Sequence, residues 1–341
     1  MKNYKSYFQD VHYKRVKIGI VLRTILSFFE FFYKSIIKIK NYCYEKGFLK
    51  ENKVRSQVIC VGNLTTGGVG KTPIVEYLAN LSNEQVAIIS RGYKAKISTK
   101  NPIVVKDNEG IKFKDGNLCS DEAYQLAKKT NKNISVIICS DRLKAAQKAI
   151  SMGCKKILMD DGFSNRKIKK EKTIIVIDSK MRFGNEKLLP LGPLREPIDE
   201  IKRADEIILV DKMDDDFLSA LNWVKKFNLP FKICKIQPKQ IYNIQTHAKI
   251  KDFKSAIAFC AIGQPVQFFN FAKMFYEVKQ EVVFEDHHKY CKNDIKKLIQ
   301  IAKNQNTNTF ITTQKDETKL VDLIKDLKGY CFNVLELEYS L

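Results

Sequence analysis

With 341 residues, the chain is long enough to bury a substantial core and to form two domains. Its apolar share of 44% and charged share of 29% are those of a globular protein and exclude a disordered one. A formal net charge of +22 leaves nucleic acid, an anionic membrane or an anionic substrate open as partners. The lysines are spread along the whole chain, so charge alone selects none of them.

Nine cysteines contain no Cys-x-x-Cys pair and no Cys/His cluster at zinc spacing, so they read as reduced thiols of a cytosol-facing protein. No small-residue cleavage site follows an early apolar stretch, which argues against a secretory signal. There is no internal repeat and no low-complexity linker.

Residues 1–50 stand apart. Between Lys17 and Lys40 the apolar residues Val21, Ile25, Phe28, Phe29, Phe32 and Ile36 recur at helical spacing, with Arg23, Ser27, Glu30, Lys34 and Lys38 on the other side. Charges interrupt the run too often for a membrane-spanning segment of about 20 residues. An aromatic face backed by lysines suits a helix lying in the membrane interface, with its basic flanks drawn to anionic headgroups. The same face would equally serve a surface helix packed on the protein's own core.

The apolar run Val58–Val61 leads into Gly62-Asn63-Leu64-Thr65-Thr66-Gly67-Gly68-Val69-Gly70-Lys71-Thr72-Pro73, after which Ile74, Val75, Leu78 and Ala79 mark a helix. Strand, glycine-rich loop and helix in that order are the context of a phosphate-binding loop. Glycines let backbone N–H groups turn toward an anion, and the helix N-terminus adds its positive dipole end. Thr65, Thr66, Gly67, Gly68, Val69, Gly70, Lys71 and Thr72 are therefore the expected ATP contacts. Lys71 would reach the β- and γ-phosphates, and the Thr72 hydroxyl would sit on Mg²⁺. The strict pattern wants glycine at position 65, where this chain has Thr65.

Short, fully apolar strands then alternate with helices: strands at 86–89, 103–105, 135–139, 156–159, 173–177 and 206–210, and helices at 121–129 and 143–152. This pattern predicts an α/β fold of P-loop NTPase type, a mostly parallel sheet flanked by helices. Ligands bind such sheets beyond the carboxyl ends of the strands. Asp160-Asp161, Asp178 and Asp141-Arg142 occupy such positions. Paired carboxylates beside a phosphate loop repel each other unless a cation compensates, so Asp160 and Asp161 are candidate Mg²⁺ ligands. A lone strand-end aspartate more often caps a turn. Leu188-Leu189-Pro190-Leu191-Gly192-Pro193-Leu194-Arg195-Glu196-Pro197 is stiffened by its prolines and presents an arginine suited to phosphate.

Beyond residue 212 the pattern restarts as a smaller α/β domain. Its helices are expected at 217–227, 265–277 and 293–303 and its strands at 231–236, 255–261, 281–284 and 309–313, followed by a last helix and strand. The expected domains are thus 1–50, 51–212 and 213–341. Asp286-His287-His288 follows a strand of the last domain, in a chain with four histidines.

Taken together these segments resemble the tetraacyldisaccharide 4′-kinases of lipid A biosynthesis, over about residues 16–320. The resemblance rests on the loop at 62–73 with its missing first glycine, Ser90-Arg91-Gly92-Tyr93, Asp121-Glu122, Asp160-Asp161-Gly162-Phe163 and Phe183-Gly184-Asn185. Gly192-Pro193-Leu194-Arg195-Glu196-Pro197, Asp286-His287 and Thr313-Gln314-Lys315-Asp316 complete it. It implies an enzyme on the cytoplasmic face of the inner membrane that moves the γ-phosphate of ATP to a glycolipid 4′-hydroxyl. It also implies an N-terminal helix touching the bilayer and a small domain closing over the nucleotide cleft.

By that resemblance Asp121 is the general base and His287 its partner, while Lys71 and Arg195 offset developing charge. Thr72 with Asp160 or Asp161 would hold Mg²⁺, and Glu196 would assist nearby. Ser164-Asn165 and Gln314 depart from the family pattern, which has Gln-His and Glu there. The competing reading is a membrane-associated P-loop ATPase switch, but those proteins carry a lysine before the Gly-Gly pair where this chain has Thr66. A nucleic-acid partner lacks a concentrated basic and aromatic stripe outside residues 1–55, and nothing points to a protein partner.

Overall fold

The computed structural model describes residues 11–13, 18–114, 116–212, 216–252, 254–263, 265–285 and 288–341. Two compact units emerge, one reaching to Lys235 and including Leu341, the other spanning Ile236–Ser340. The division falls at 235/236, later than the expected 212, because the strand that begins at Phe231 pairs with its predecessor in the first unit. Residues 217–235 therefore belong with the nucleotide-loop sheet.

In the first unit α1 (Ile20–Glu45) precedes β1 (Gln57–Gly62), α2 (Lys71–Asn80), β2 (Val86–Ser90), β3 (Ile103–Asp107) and β4 (Gly110–Ile111). A short turn of helix, α3 (Gly116–Cys119), leads to α4 (Asp121–Lys129), β5 (Ile134–Ile138), α5 (Arg142–Ser151), β6 (Lys156–Asp160) and β7 (Lys172–Asp178). β8 (Glu206–Val210), α6 (Phe217–Lys225) and the start of β9 (Phe231–Asn243) complete it. The strand order is β9-β8-β7-β1-β6-β2-β5-β3-β4. Pairing is parallel from β9 through β5, and β3 and β4 run antiparallel at the edge.

The central strands are buried along nearly their whole length, as their unbroken Val/Ile runs demand of a sheet covered on both faces. One core cluster gathers Val58, Ile89, Ile137, Ala145 and Ile157; another gathers Leu64, Phe163, Ile175, Leu194 and Leu209. The second cluster packs the 188–194 loop and the Asp-Gly-Phe segment onto one side of the sheet, next to the end of β1.

The second unit holds the rest of β9, β10 (Ser255–Cys260), α7 (Pro265–Lys273), β11 (Glu277–Val283), α8 (Lys292–Asn304), β12 (Thr309–Thr313), α9 (Gln314–Ile324) and β13 (Cys331–Ser340). Its order β11-β10-β12-β13 is parallel throughout. Phe259, Leu298, Phe310 and Phe332 form its core. β11 begins four residues before the expected 281, and β9 continues past the expected 236 through Pro238.

α1 lays Leu26 and Asn41 against the first unit. Val21, Ile25, Phe28, Phe29, Phe31, Phe32, Ile36 and Ile39 stand exposed. The aromatic face therefore does not pack on the core of the unit. Among the described residues no helix is long and apolar enough to cross a membrane.

Candidate active site

The loop after β1 has two halves with different jobs. In the first, Asn63 to Thr66 pair with the 193–195 segment: Thr66 N–H donates to the Pro193 carbonyl at 2.7 Å and Arg195 N–H to the Leu64 carbonyl at 2.7 Å. Thr65 bridges Leu194 in antiparallel fashion. This short ribbon explains the missing glycine. Thr65 is buried, has no positive φ, and accepts hydrogen bonds from Asn63 Nδ2 at its carbonyl (2.8 Å) and hydroxyl (3.2 Å). Thr65 and Thr66, expected as ATP contacts, therefore spend these groups inside the protein.

The second half is different. Gly67 and Gly70 have φ of +108° and +94°, which side-chain-bearing residues rarely adopt. The backbone N–H groups of Gly67, Gly68, Val69 and Gly70 are not taken up by hydrogen bonds among the described residues. Gly70 caps α2, so the helix dipole adds to those free donors.

Around this cradle the strand ends supply a charged ring. Lys71 Nζ donates to Asn63 Oδ1 at 3.0 Å and lies 3.6 Å from Asp161 Oδ1. Arg195 grips Asp161 with both terminal nitrogens, at 2.9 and 2.7 Å, and also donates to Asn63 Oδ1. The Arg195 ribbon thus sets a bidentate guanidinium beside the phosphate loop. Lys71 and Arg195 hold the Asp161 carboxyl well below the usual carboxylate range, against the pull of burial.

Asp160 behaves oppositely. It is buried, and burial raises its carboxyl to about 7; Asp161 and Glu122 push it up, while Lys71 and Arg142 pull it down. Its Oδ2 accepts from Thr72 Oγ1 at 3.4 Å, whereas its Oδ1 is buried without a hydrogen-bond partner among the described residues. An orphaned carboxylate oxygen beside a threonine hydroxyl and a phosphate cradle fits Mg²⁺, which takes one or two carboxylates and completes its shell from phosphate and water. Among the described residues no group of three or more His, Cys, Asp or Glu side chains gathers as an all-protein metal cage.

Other expectations sort differently. Glu196 does not join the Asp160–Thr72 corner: Asn41 Nδ2 donates to it at 3.0 Å, and Arg203 and Lys40 lie 3.4 and 3.7 Å away. Its fully buried charge is compensated there by Lys40 and Arg203, while its Oε1, like Oδ1 of Asp160, has no hydrogen bond among the described residues. Asp141 caps α5 by accepting from Leu143 N–H, and Asp178 accepts from the N–H groups of Lys180 and Met181, so both are turn and helix caps.

Asp121 opens α4, whose first turn sits at the carboxyl edge of the sheet because the helix leads back into parallel β5. Its neighbour Glu122 is near enough to act on Asp160. His287 and Asp286 lie outside the described residues. The adjacent His288 pairs with Asp294 at 2.9 Å.

The sequence pattern gives no role to Asn63 or Tyr13, and offers Arg142 only as a strand-end candidate. Asn63 joins Lys71 to Arg195; its position as the first residue after β1 was the available signal. Buried Arg142 sends Nη1 to the Cys139 carbonyl and Nη2 to the Asp160 carbonyl, bracing the strand end. Tyr13 donates to the Thr66 carbonyl at 3.0 Å, a contact that no local pattern announces.

The profile of the family described as Tetraacyldisaccharide-1-P 4'-kinase matches residues 22–341. The chain belongs to this family. It is 32% identical to the tetraacyldisaccharide 4'-kinase of Halothermothrix orenii over 93% of this chain and 88% of that one. With the Aquifex aeolicus kinase of the same name it shares 33% identity over 94% of this chain and 95% of the relative. A crystal structure of LpxK from Aquifex aeolicus, described as an apo form in complex with ATP, superposes with a TM-score of 0.72 at 30% identity. That match covers 94% of this chain and 95% of the other, so the kinase fold extends through both units.

Proposed function

We propose that the chain transfers the γ-phosphoryl group of ATP to the 4′-hydroxyl of a tetraacyldisaccharide 1-phosphate, a step of lipid A biosynthesis. The observation that carries this reading is the closed ring Lys71–Asn63–Arg195–Asp161 around four unused backbone donors, with Asp160 and Thr72 beside it.

Asp161 lies against both cations, Lys71 and Arg195. A triphosphate seated on the N–H groups of Gly67 to Gly70 offers Lys71 and Arg195 a second anionic partner. Each then stabilises charge on the oxygens of the transferring group, where preorganised donors are worth most. Thr72 and Asp160 would hold Mg²⁺, which would neutralise charge on the β- and γ-phosphate oxygens. The acceptor oxygen bonds to the γ-phosphorus as the bond to the β–γ bridging oxygen breaks and ADP leaves. Asp121 receives the hydroxyl proton, with His287 assigned as its partner.

The same reading puts the protein on the cytoplasmic face of the inner membrane, held peripherally by α1. Its exposed Phe and Ile side chains are each worth roughly 1.5–3 kcal/mol if fully removed from water, so even partial burial in a bilayer interface outweighs ordinary surface terms. Exposed Lys34, Lys38 and Lys46 supply attraction to anionic headgroups.

Incubation with ATP, Mg²⁺ and a disaccharide-1-phosphate lipid should give a bis-phosphorylated product. Lys71→Ala should abolish it, and product formed at full speed by that variant would overturn the assignment. For the membrane reading, Phe28→Ser with Phe32→Ser should release the protein from anionic liposomes in a sedimentation assay.

A further inference from the structure

α1 has a second face that the membrane reading does not use. Glu30, Tyr33, Ile37, Lys40, Asn41 and Tyr44 follow one another at intervals of three and four or sit side by side, which aligns them on one side of a helix. That side is bonded to the two loops that carry the ring around the phosphate cradle.

Toward the proline-rich loop, Glu30 Oε1 accepts from Leu188 N–H at 2.9 Å and Tyr33 Oη donates to the carbonyl of Arg195 itself at 3.0 Å. One residue on, buried Glu196 accepts from Asn41 Nδ2 at 3.0 Å, with Lys40 Nζ at 3.7 Å. Toward the Asp-Gly-Phe loop, Lys40 Nζ donates to the Ser164 carbonyl at 2.9 Å, and Arg166 donates back to the Asn41 carbonyl at 3.2 Å while lying over the Tyr44 ring. Arg195 and Asp161, one from each loop, form the bidentate pair. The helix therefore bolts together the two chain segments whose other ends meet at the cradle.

We infer that Tyr33, Lys40 and Asn41 are positioning residues for phosphoryl transfer. They hold the Arg195 backbone and its neighbour Glu196 so that the guanidinium lies against Asp161 and the loop at Asn63. The inference rests on the proposed role of Arg195 in transfer and is independent of whether the outer face of α1 binds lipid. Asn41 and Lys40 join Arg203 in meeting the fully buried charge of Glu196, and they tie that charge to α1. Tyr33 fixes the one carbonyl from which the Arg195 side chain is aimed.

The test is a double-mutant cycle on the full-length protein, with a short-chain acceptor dispersed without vesicles so that membrane capture plays no part. Asn41→Ala should lower kcat by ~10-fold, and a displacement of even 1 Å at such a group costs up to about 100-fold. KM for ATP should stay within about twofold, because the free N–H groups of the cradle are untouched. In an Arg195→Ala background the same substitution should cost less than about twofold, since a residue that acts through another has nothing left to position.

Asn41→Asp, which sets a second carboxylate against Glu196, should be worse than Asn41→Ala. Tyr33→Phe removes one oxygen and keeps the fold, and should lower kcat by ~3-fold with the same loss of effect in the Arg195→Ala background. An unchanged kcat in both single variants, or losses that persist in full without Arg195, would overturn the inference. If Arg195→Ala alone retains wild-type turnover, the role given to Arg195 fails instead, and the two failures are told apart.

Discussion

Each unit buries an aspartate at the carboxyl end of a parallel sheet, and the two are finished in opposite ways. Asp316, in the second unit, is fully buried and accepts from Ala261 N–H at 3.0 Å and Thr313 Oγ1 at 2.7 Å, with Lys319 Nζ at 3.3 Å. Asp160, in the first, has a single long contact to Thr72 and one oxygen without a partner among the described residues. A buried carboxylate whose lone pairs are satisfied is part of the architecture. One left incomplete waits for a ligand, and the surrounding fold bears the cost of keeping it so.

The strongest way to sharpen that contrast is to remove each carboxylate. Asp160→Asn should lower phosphoryl transfer by about a thousandfold, as loss of a preorganised electrostatic group does, with the urea midpoint kept or raised. A transfer rate within tenfold of wild type would break the comparison. Asp316→Ala should act on the fold, costing about 3 kcal/mol in urea denaturation because its donors are left without an acceptor.

A third test is pH. Asp160 keeps its proton to about 7 in the folded chain, whereas an unfolded aspartate loses it near 3.8, so the folded state binds more protons between these values. This group's contribution to stability is complete below 3.8 and gone once pH has risen through about 7. Measured in a metal chelator, the melting temperature of wild type relative to Asp160→Asn should therefore fall from pH 4 to pH 7 and level off above. A difference that rises over that range would overturn the sign. The smallest effect is expected at Thr65. Thr65→Gly should cost about 1 kcal/mol of stability through backbone entropy and the lost hydroxyl contact to Asn63, while ATP affinity stays within about twofold.

The fold was legible because its strands are unbroken apolar runs and its site lies where such strands end. Gly67 to Thr72, Asp160 and Asp161 announced themselves by local spacing, and the structure gathers Lys71, Thr72 and both aspartates at one corner. Glu196 adjoins Arg195 in a stiff loop, yet alternate residues of an extended segment face opposite ways, and this one turns to Asn41 and Arg203. The residues left without a role, Asn63 and Tyr13, act through contacts set by tertiary pairing, which no periodicity encodes. The domain limit slipped for a similar reason. A strand belongs to the sheet it pairs with, and the pairing of Phe231 with Ile207 cannot be read from either run alone.

The ribbon formed by residues 63–66 and 193–195 has a thermodynamic corollary for the nucleotide. Ordering one residue costs about 1–2 kcal/mol of conformational entropy, and half of the loop has met that cost before any ligand arrives. Binding has only the stretch from Gly67 to Gly70 left to still, so the affinity retained from phosphate contacts is larger than a wholly mobile loop of the same sequence would allow.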